Sequence, residues 1–462
     1  MTDRPNILLF LTDDHGAWAN GCYGNSEVKT PTLDALAATG ARFTNACTPC
    51  PVCSPARACL LTGKTPSQIG IHDWLEEANP TIGERDWLGG TRTLFDFLSA
   101  AGYHCGLSGK WHLGQSHLAP AGAHYYFGLP GWQGSHNGPY TYALNGDMVE
   151  LNGNKSRFIT DQAIEFLDSA PTDRPFFLNI GYIATHSPYR QQEHDPEQTA
   201  KYQDCRFQEI PAWSPHRWVN NEGGANELSE QELRDRYIGY YASVTEIDDN
   251  IARVIGALKM RDQLENTIVI YTSDHGCAMG HQGFFGKGNS TRPLNMHEVS
   301  LRVPLIVWGA GIETQTLDNY VDHYDIFHTI RALAGIDAPG ADAFAGRSYA
   351  DMLRGQQIEW DDTRYGEYGD LRMIRDRRWK LVWRYPAGPH ELFNLEADPE
   401  EGANLFERRA QVAADYRARL KEFYAGYTVE ERSGLRVKQL PAHNRKEAWR
   451  DGKREARGLQ VY

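Results

Sequence analysis

The chain lacks a long apolar run: no stretch approaches the roughly 18 consecutive apolar residues that a spanning helix needs, so no transmembrane segment is expected. Positive charge is also short. There are 47 Lys and Arg against 60 Asp and Glu, a formal charge of −13, and a nucleic-acid surface wants the opposite sign. A small anionic substrate is still allowed, because a local basic cluster overrides the global balance. The eight cysteines, at 22, 47, 50, 53, 59, 105, 205 and 277, form no even framework over 462 residues. They read as free thiols packed as small hydrophobes in a reducing compartment. Cys50-Pro51-Val52-Cys53 matches a C-x-x-C pattern, with redox or zinc chemistry as its reading. No second pair at zinc-finger spacing accompanies it, and the thioredoxin-like context is missing. Internal repeats and low-complexity tracts are absent. The apolar segment from Asn6 to Thr12 begins too near Met1 for a secretory signal and reads straight into a buried strand. A cytoplasmic protein is therefore expected, or a periplasmic or secreted one if a leader preceded this numbering.

What is present is an ordinary globular composition, 41% hydrophobic and 23% charged. At 462 residues the chain exceeds the usual single core, so one large domain and a smaller one are expected. Asn6 to Thr12 is the near-continuous apolar run of a strand covered on both faces. Amphipathic helical patterns follow over Thr30–Gly40, Thr93–Ala101, Phe158–Leu167, Ser229–Met260 and Tyr324–Leu333. Strand patterns alternate with them over Tyr103–Ser108, Phe176–Gly181, Thr267–Thr272 and Val303–Trp308. This alternation predicts an α/β fold: a doubly wound, mostly parallel large sheet sandwiched by helices over residues 1–355. Past Gly355 two strand-like runs, Met373 to Arg384 and Glu391 to Leu395, and a helix over about Ala410–Tyr424 predict a smaller C-terminal domain, 356–462, with an antiparallel sheet. Its last stretch, from Glu430, is charged and weakly periodic: a packed tail or an oligomer contact. Gln191 to Glu227, rich in Trp, Pro, His, Asn and Gly, reads as an insertion shaping a pocket.

Ligands collect at the carboxyl ends of strands in such sheets. Asp13-Asp14 and Asp274-His275 both lie at such ends, each followed by glycine within two residues. Two adjacent acids alone make a turn or a helix cap; two acidic clusters at strand ends suit a hard divalent cation such as Ca²⁺ or Mg²⁺. Cys53-Ser54-Pro55-Ala56-Arg57 places a cysteine and an arginine one turn apart at a helix start that proline tolerates. Backbone N–H groups, dipole and guanidinium there attract an anion. Lys110 and His112, in Gly109–Gly114, are spaced so that an extended loop points both to one side. His186, in Ala184–Tyr189, and Lys287, between two glycines, also follow strands. Singly, such residues are surface or core groups. Together they surround a metal site.

These residues carry a resemblance. The Cys-x-Pro-x-Arg stretch and the following Leu61-Thr62-Gly63 are similar to the maturation signature of type I sulfatases of the alkaline phosphatase superfamily. Gly109–Gly114 resembles that family's second motif, and Ile374-Arg375, Trp379-Lys380-Leu381, Glu391–Leu395 and Asp398-Pro399 resemble its small antiparallel sheet. The resemblance implies a sulfuric ester hydrolase whose Cys53 is oxidised by a maturation enzyme to formylglycine. Its aldehyde hydrates to a diol that attacks sulfur, and sulfate leaves as the aldehyde re-forms. It further implies a Ca²⁺ site, with Mg²⁺ or Mn²⁺ as alternatives, at Asp13, Asp14, Cys53, Asp274 and His275, where many relatives carry Asn in place of His275. Arg57 and Lys110 would stabilise the modified residue, His112 would act as base, and His186 and Lys287 would face the leaving oxygen. Formylglycine-dependent phosphonate monoester or phosphodiester hydrolysis would use the same constellation, and an unmodified Cys53 would leave an inactive anion- or glycan-binding protein. The expected substrate is a carbohydrate sulfate, a small molecule or oligosaccharide, ahead of an aryl sulfate. His72, Asp73, Trp74 and His136 are its candidate contacts, with Trp87, Trp132, Trp213 and Trp218 as candidate stacking surfaces. Nucleic acid and membrane are not expected partners; a homo-oligomer through the charged tail is one of the tail's two readings.

Overall fold

The computed structural model describes residues 4–131, 134–220, 228–336 and 344–450. Trp132 and the end of the tail lie outside them. In chain order the strands are β1 (Asn6–Thr12), β2 (Ala41–Cys47), β3 (His104–Gly109), β4 (Tyr125–Gly128), β5 (Asn137–Leu144), β6 (Asp147–Asn154), β7 (Phe176–Gly181), β8 (Thr267–Ser273), β9 (Ala278–Met279), β10 (Phe285–Gly286), β11 (Leu305–Gly309) and β12 (Gln315–Asp322). All but β9 and β10 form one ten-stranded sheet in the order β12-β2-β11-β8-β1-β7-β3-β4-β5-β6. Its centre, β8-β1-β7-β3-β4, is parallel throughout.

Every residue of β1 is buried, and the reason is visible in how its side chains divide. Ile7, Leu9 and Leu11 enter one core and Leu8 and Phe10 the other, as the two-residue period of a strand requires. The first core takes Leu60 and Leu61 of α2 (Cys53–Thr62), with Phe95 of the helix Leu94–Ala100 and Phe327 of His323–Leu333. The second takes Leu33 of α1 (Pro31–Thr39), with Phe166 of Lys155–Ser169 and Ile251 of Glu230–Met260. Helices thus cover both faces, as the alternation predicts. Among the described residues no helix is long and apolar enough to cross a membrane.

The small sheet has four strands rather than two runs: β13 (Arg364–Tyr368), β14 (Leu371–Arg375), β15 (Trp379–Arg384) and β16 (Glu391–Asn394), antiparallel in sequence order. Ile374, Leu381 and Leu392 pack on the helix Ala410–Gly426. Met373 and Val382, on the other face, pack on Cys50, Val52, Leu294 and Met296 beside the start of α2. As far as Arg450 the tail is packed rather than free. The Glu76 N–H donates to the His443 carbonyl (2.8 Å), and Asn444 Nδ2 to the Trp74 carbonyl (2.9 Å).

A buried ionic network ties the small sheet to the loop after β10. Lys380 has no exposed surface; its Nζ donates to the Met296 carbonyl (2.7 Å) and Glu298 Oε1 (3.1 Å) and pairs with Glu401. Removing one partner of such a network strands the others' charges in a medium of low dielectric. Lys380→Met is expected to lower stability by about 3–5 kcal/mol, read as a fall in the denaturation midpoint in urea. An unchanged midpoint would show that the network is not holding the small sheet to that loop.

Candidate active site

Parallel pairing sets β1 and β8 with Thr12 opposite Ser273, so both strands end at one level and Asp13-Asp14 leaves beside Asp274-His275. The Asp274 N–H donates to the Thr12 carbonyl (3.0 Å) and the Asp14 N–H to Asp274 Oδ1 (3.4 Å). Asp13, Asp14, Asp274 and His275 are at most 2% exposed. Asp14 has a left-handed backbone, φ 58°, which aspartate tolerates better than most residues. Its carbonyl is pinned by the hydroxyls of Thr185 (2.7 Å) and Tyr240 (2.9 Å).

His275 Nδ1 lies 2.9 Å from the Gly276 carbonyl, which fixes the hydrogen on Nδ1 and turns the other nitrogen inward. Nε2 faces Asp14 Oδ1 (3.2 Å), Asp274 Oδ1 (3.4 Å) and Cys53 Sγ (3.4 Å). One donor atom each from Asp13, Asp14, Cys53 and His275 falls within 4.8 Å of the others. Asp274 directs Oδ1 at this group and gives Oδ2 to Arg57 Nε (2.9 Å). Carboxylate oxygens and one oriented imidazole are a donor set for a divalent cation, and the residues present fit one.

α2 begins at Cys53, after an extended Val52 and with Pro55 in its first turn. This puts Sγ 3.0 Å from Lys287 Nζ and 3.4 Å from Asp13 Oδ1. Arg57, one turn on and 1% exposed, donates to Asp274 and, through Nη1, to the Lys110 carbonyl (3.0 Å). Its guanidinium holds the Asp274 carboxylate in place. Lys110 pairs with Asp13, and Lys287 Nζ lies 2.5 Å from Asp14 Oδ1. Each lysine follows a glycine of positive φ, Gly109 (114°) and Gly286 (95°). A Cβ on Gly109 would stand 2.1 Å from the Gly181 carbonyl, so only glycine lets β3 end so close to β7.

The loop after Lys110 is not extended as the i, i+2 argument assumes: His112 has φ 62°. It still faces the site, with Nε2 2.8 Å from the Leu75 carbonyl. His186 Nδ1 lies 2.8 Å from the Ser187 carbonyl. Both lower the Cys53 thiol through hydrogen bonds. Burial raises that thiol, but Lys110 and Lys287 outweigh it and hold it well below the ordinary range. Burial likewise raises Asp13, which Lys110, His186 and Lys287 overcome, leaving it below the usual carboxylate range. Burial and Lys287 lower His186, but Asp14, Asp13 and Cys53 together raise it more, so it holds its proton above the ordinary histidine range.

A cavity of about 550 Å³ opens over this cluster, reached by Asp14, Cys53, Lys110, His112, His186 and Lys287. Asp73 and Trp74 line it. His72 and His136 do not: His72 Nε2 lies against the Arg432 carbonyl (2.7 Å), and His136 Nε2 against the His186 carbonyl (2.7 Å), behind the wall. Trp87 stacks on His443, ring centroids 4.8 Å apart, and Trp213 packs on Phe285 (5.0 Å). Trp218 packs on His216 (5.6 Å); none of the three lines the cavity. Of the aromatic-rich insertion, Val219 and Asn220 do. Residues that sequence reasoning left unassigned are Tyr189, whose hydroxyl donates to Asp14 Oδ2 (3.3 Å), Arg236, Arg292 and Arg445. Tyr189 ends the quoted His186 loop and so carried a signal; the arginines carried none.

The model of the sulfatase family matches residues 5–336, and one described as N-sulphoglucosamine sulphohydrolase, C-terminal, matches residues 280–425. An arylsulfatase of Clostridium perfringens is 26% identical over 518 aligned residues, covering 99% of this chain and 98% of its own. An ulvan-active sulfatase of Formosa agariphila is 30% identical over 428, covering 87% and 77%. A solved structure of a protein in complex with its substrate D-glucosamine-2-N,6-O-disulfate shares the fold with a TM-score of 0.78, at 24% identity over 92% of this chain and 98% of that one. With strand ends, cysteine and lysines converging on one cavity and a family model covering most of the length, the chain belongs to the sulfatase family and is a sulfuric ester hydrolase.

Proposed function

We propose that the chain releases sulfate from a carbohydrate sulfate ester, using water to give the free hydroxyl and inorganic sulfate, with Cys53 as the site of the nucleophile. One observation carries this: Cys53 Sγ stands between the carboxylate cluster and Lys287 at the base of the cavity. Oxidation of Cys53 to formylglycine by a maturation enzyme would set a hydrated aldehyde, and hence a hydroxyl nucleophile, where Sγ lies. A divalent cation, Ca²⁺ by preference, would be held by Asp13, Asp14, Asp274 and His275, polarising a sulfate oxygen and making that hydroxyl more acidic.

The chain's own residues supply the rest. Lys110 and Lys287 bring two positive charges to the place where the ester's negative oxygens must sit. His112, with Nε2 committed to the Leu75 carbonyl, has Nδ1 left to take a proton. His186, with Nδ1 on the Ser187 carbonyl and its proton held by Asp14, is the donor for the leaving oxygen. The cavity's size and its mixture of Asp73, Trp74, Asn220 and arginines suit a sugar. The ulvan-active relative and the structure bound to a sulfated glucosamine support the same substrate class.

Three tests follow. Peptide mass spectrometry of active enzyme is expected to show the Cys53 peptide about 18 Da lighter than the thiol, and Cys53→Ala to lose at least about a thousandfold in kcat; an intact thiol in active enzyme refutes the proposal. Chelation is expected to abolish turnover and added Ca²⁺ to restore it, while His275→Ala lowers metal content and affinity by roughly tenfold or more. Turnover of a sulfated sugar is expected to exceed that of the matched phosphonate ester, and the reverse order would favour the phosphonate hydrolase reading.

A further inference from the structure

The charges on the cavity wall outside the reacting cluster are not balanced. Its acids are all engaged by the chain itself. Glu76 takes Arg445 Nε (3.1 Å) and the Arg445 N–H (3.0 Å), and Glu77 takes the Gly114 N–H (2.8 Å). Asp73 Oδ1 takes the Tyr368 hydroxyl (2.7 Å) and the Trp74 N–H (2.9 Å).

Two guanidiniums on the same wall hydrogen-bond to no carboxylate among the described residues. Arg292 donates only to carbonyls: Nη1 to Asn289 (2.7 Å) and Thr291 (3.1 Å), Nη2 to Lys446 (3.3 Å). Arg236, half-buried on the helix Glu230–Met260, makes no hydrogen bond or ion pair with any described residue. Its guanidinium rests 5.4 Å above the ring of Phe285, two residues before Lys287. The contrast with its neighbours is sharp. Arg234 donates to the Cys205 carbonyl (2.9 Å), and Asp235 accepts from Gln191 Nε2 (3.0 Å). Burial and the charge of Arg190 press against Arg236 keeping its own charge, and together they outweigh the support of Tyr189, Glu232 and Asp235, none of which hydrogen-bonds to it.

A half-buried cation with no hydrogen-bonded partner raises the free energy of the fold, and a cation–π contact returns only part of that. An uncharged side chain would fill the same space on Phe285 without that penalty. A guanidinium aimed into a cavity is matched by a planar or tetrahedral oxyanion, which it holds through two parallel N–H groups.

We propose that Arg236 is a specificity-determining residue that binds a second anionic group on the substrate, a carboxylate or a further sulfate, beyond the ester being cleaved. Arg292, braced by three carbonyls, adds to the positive wall. This rests on the sulfatase function proposed above, and the substrate class it names is a multiply anionic sugar.

The test uses mature enzyme and Arg236→Gln on three substrates: a monosulfated neutral sugar, the same sugar linked to a hexuronate, and the same sugar with a second sulfate. The wild type is expected to favour one of the doubly charged sugars by roughly tenfold or more in kcat/KM, mainly through KM, and which one it favours identifies the group. In Arg236→Gln that ratio is expected to collapse towards one, and Arg236→Lys to restore part of it. A ratio unchanged within twofold in Arg236→Gln, or a wild type that favours the singly charged sugar, overturns the proposal. In parallel, Cys53→Ala with and without Arg236→Gln is titrated calorimetrically with the two doubly charged sugars. A roughly tenfold weaker Kd on loss of the arginine supports the proposal; equal Kd values, or no binding to either protein, overturn it. Failure of all three sugars to release sulfate would instead count against the carbohydrate-sulfatase reading, and the calorimetry would still decide the role of Arg236.

Discussion

Three carboxylates that see almost no water, Asp13, Asp14 and Asp274, are gathered where two neighbouring strands end. Ionised acids so close together in a dry site are tolerated only when cations are brought to them. Arg57 answers Asp274, Lys110 answers Asp13, and Lys287 answers Asp14. The three cations come from the start of a helix, the end of β3 and the loop after β10. The rest of the architecture makes those three deliveries possible. The parallel register of β8, β1, β7 and β3 brings the loops after these four strands to one edge, and the small sheet packs against the start of α2 and the segment after Lys287.

Much of this was legible in the chain because its causes are local. β1 reads as an uninterrupted apolar run because alternate residues fill separate cores. α2 reads from Pro55 in its first turn, and the helix Glu230–Met260 from the long helical pattern that starts at Ser229. The Asp-Asp and Asp-His pairs were found because strand ends in such sheets are where ligands gather. The hairpin β5–β6 went unread because it is exposed along much of its length, so its burial pattern carries little apolar alternation. The first strand of the small sheet, β13, was hidden for a different reason. Arg364 and Glu367 are buried there as paired charges, and a period-two search for apolar residues passes over such a strand.

The site candidates divide along the same line. Those placed by a strand end and a glycine, Lys110, His186 and Lys287, arrived in the cavity. Those chosen for residue type alone did not all do so. His72 and His136 are committed to backbone carbonyls that steady the walls, a use of histidine that leaves no trace in spacing. Tyr240 reaches the Asp14 carbonyl from the middle of a 31-residue helix, where only the packing of that helix on β1 decides which face is inward. The arginines of the outer wall depend on the Gln191–Asn220 insertion and on the tail folding back, both set by long-range contacts.

The charge count explains why a cysteine in this position is suited to being replaced. Arg57, Lys110 and Lys287 cancel Asp13, Asp14 and Asp274 one for one, so a thiolate at Cys53 adds a negative charge that must be met from elsewhere. His275 carries a proton in the chain as it stands, pushed up to about 9 by Asp274 and Asp14 against burial and the charge of Lys287. An imidazole so protonated cannot donate its Nε2 lone pair to a cation. A divalent cation held among the same carboxylates would displace that proton, and Nε2, already turned inward by the Gly276 carbonyl, would be free to coordinate. The site would then carry a net positive charge, the sign an anionic ester needs on arrival.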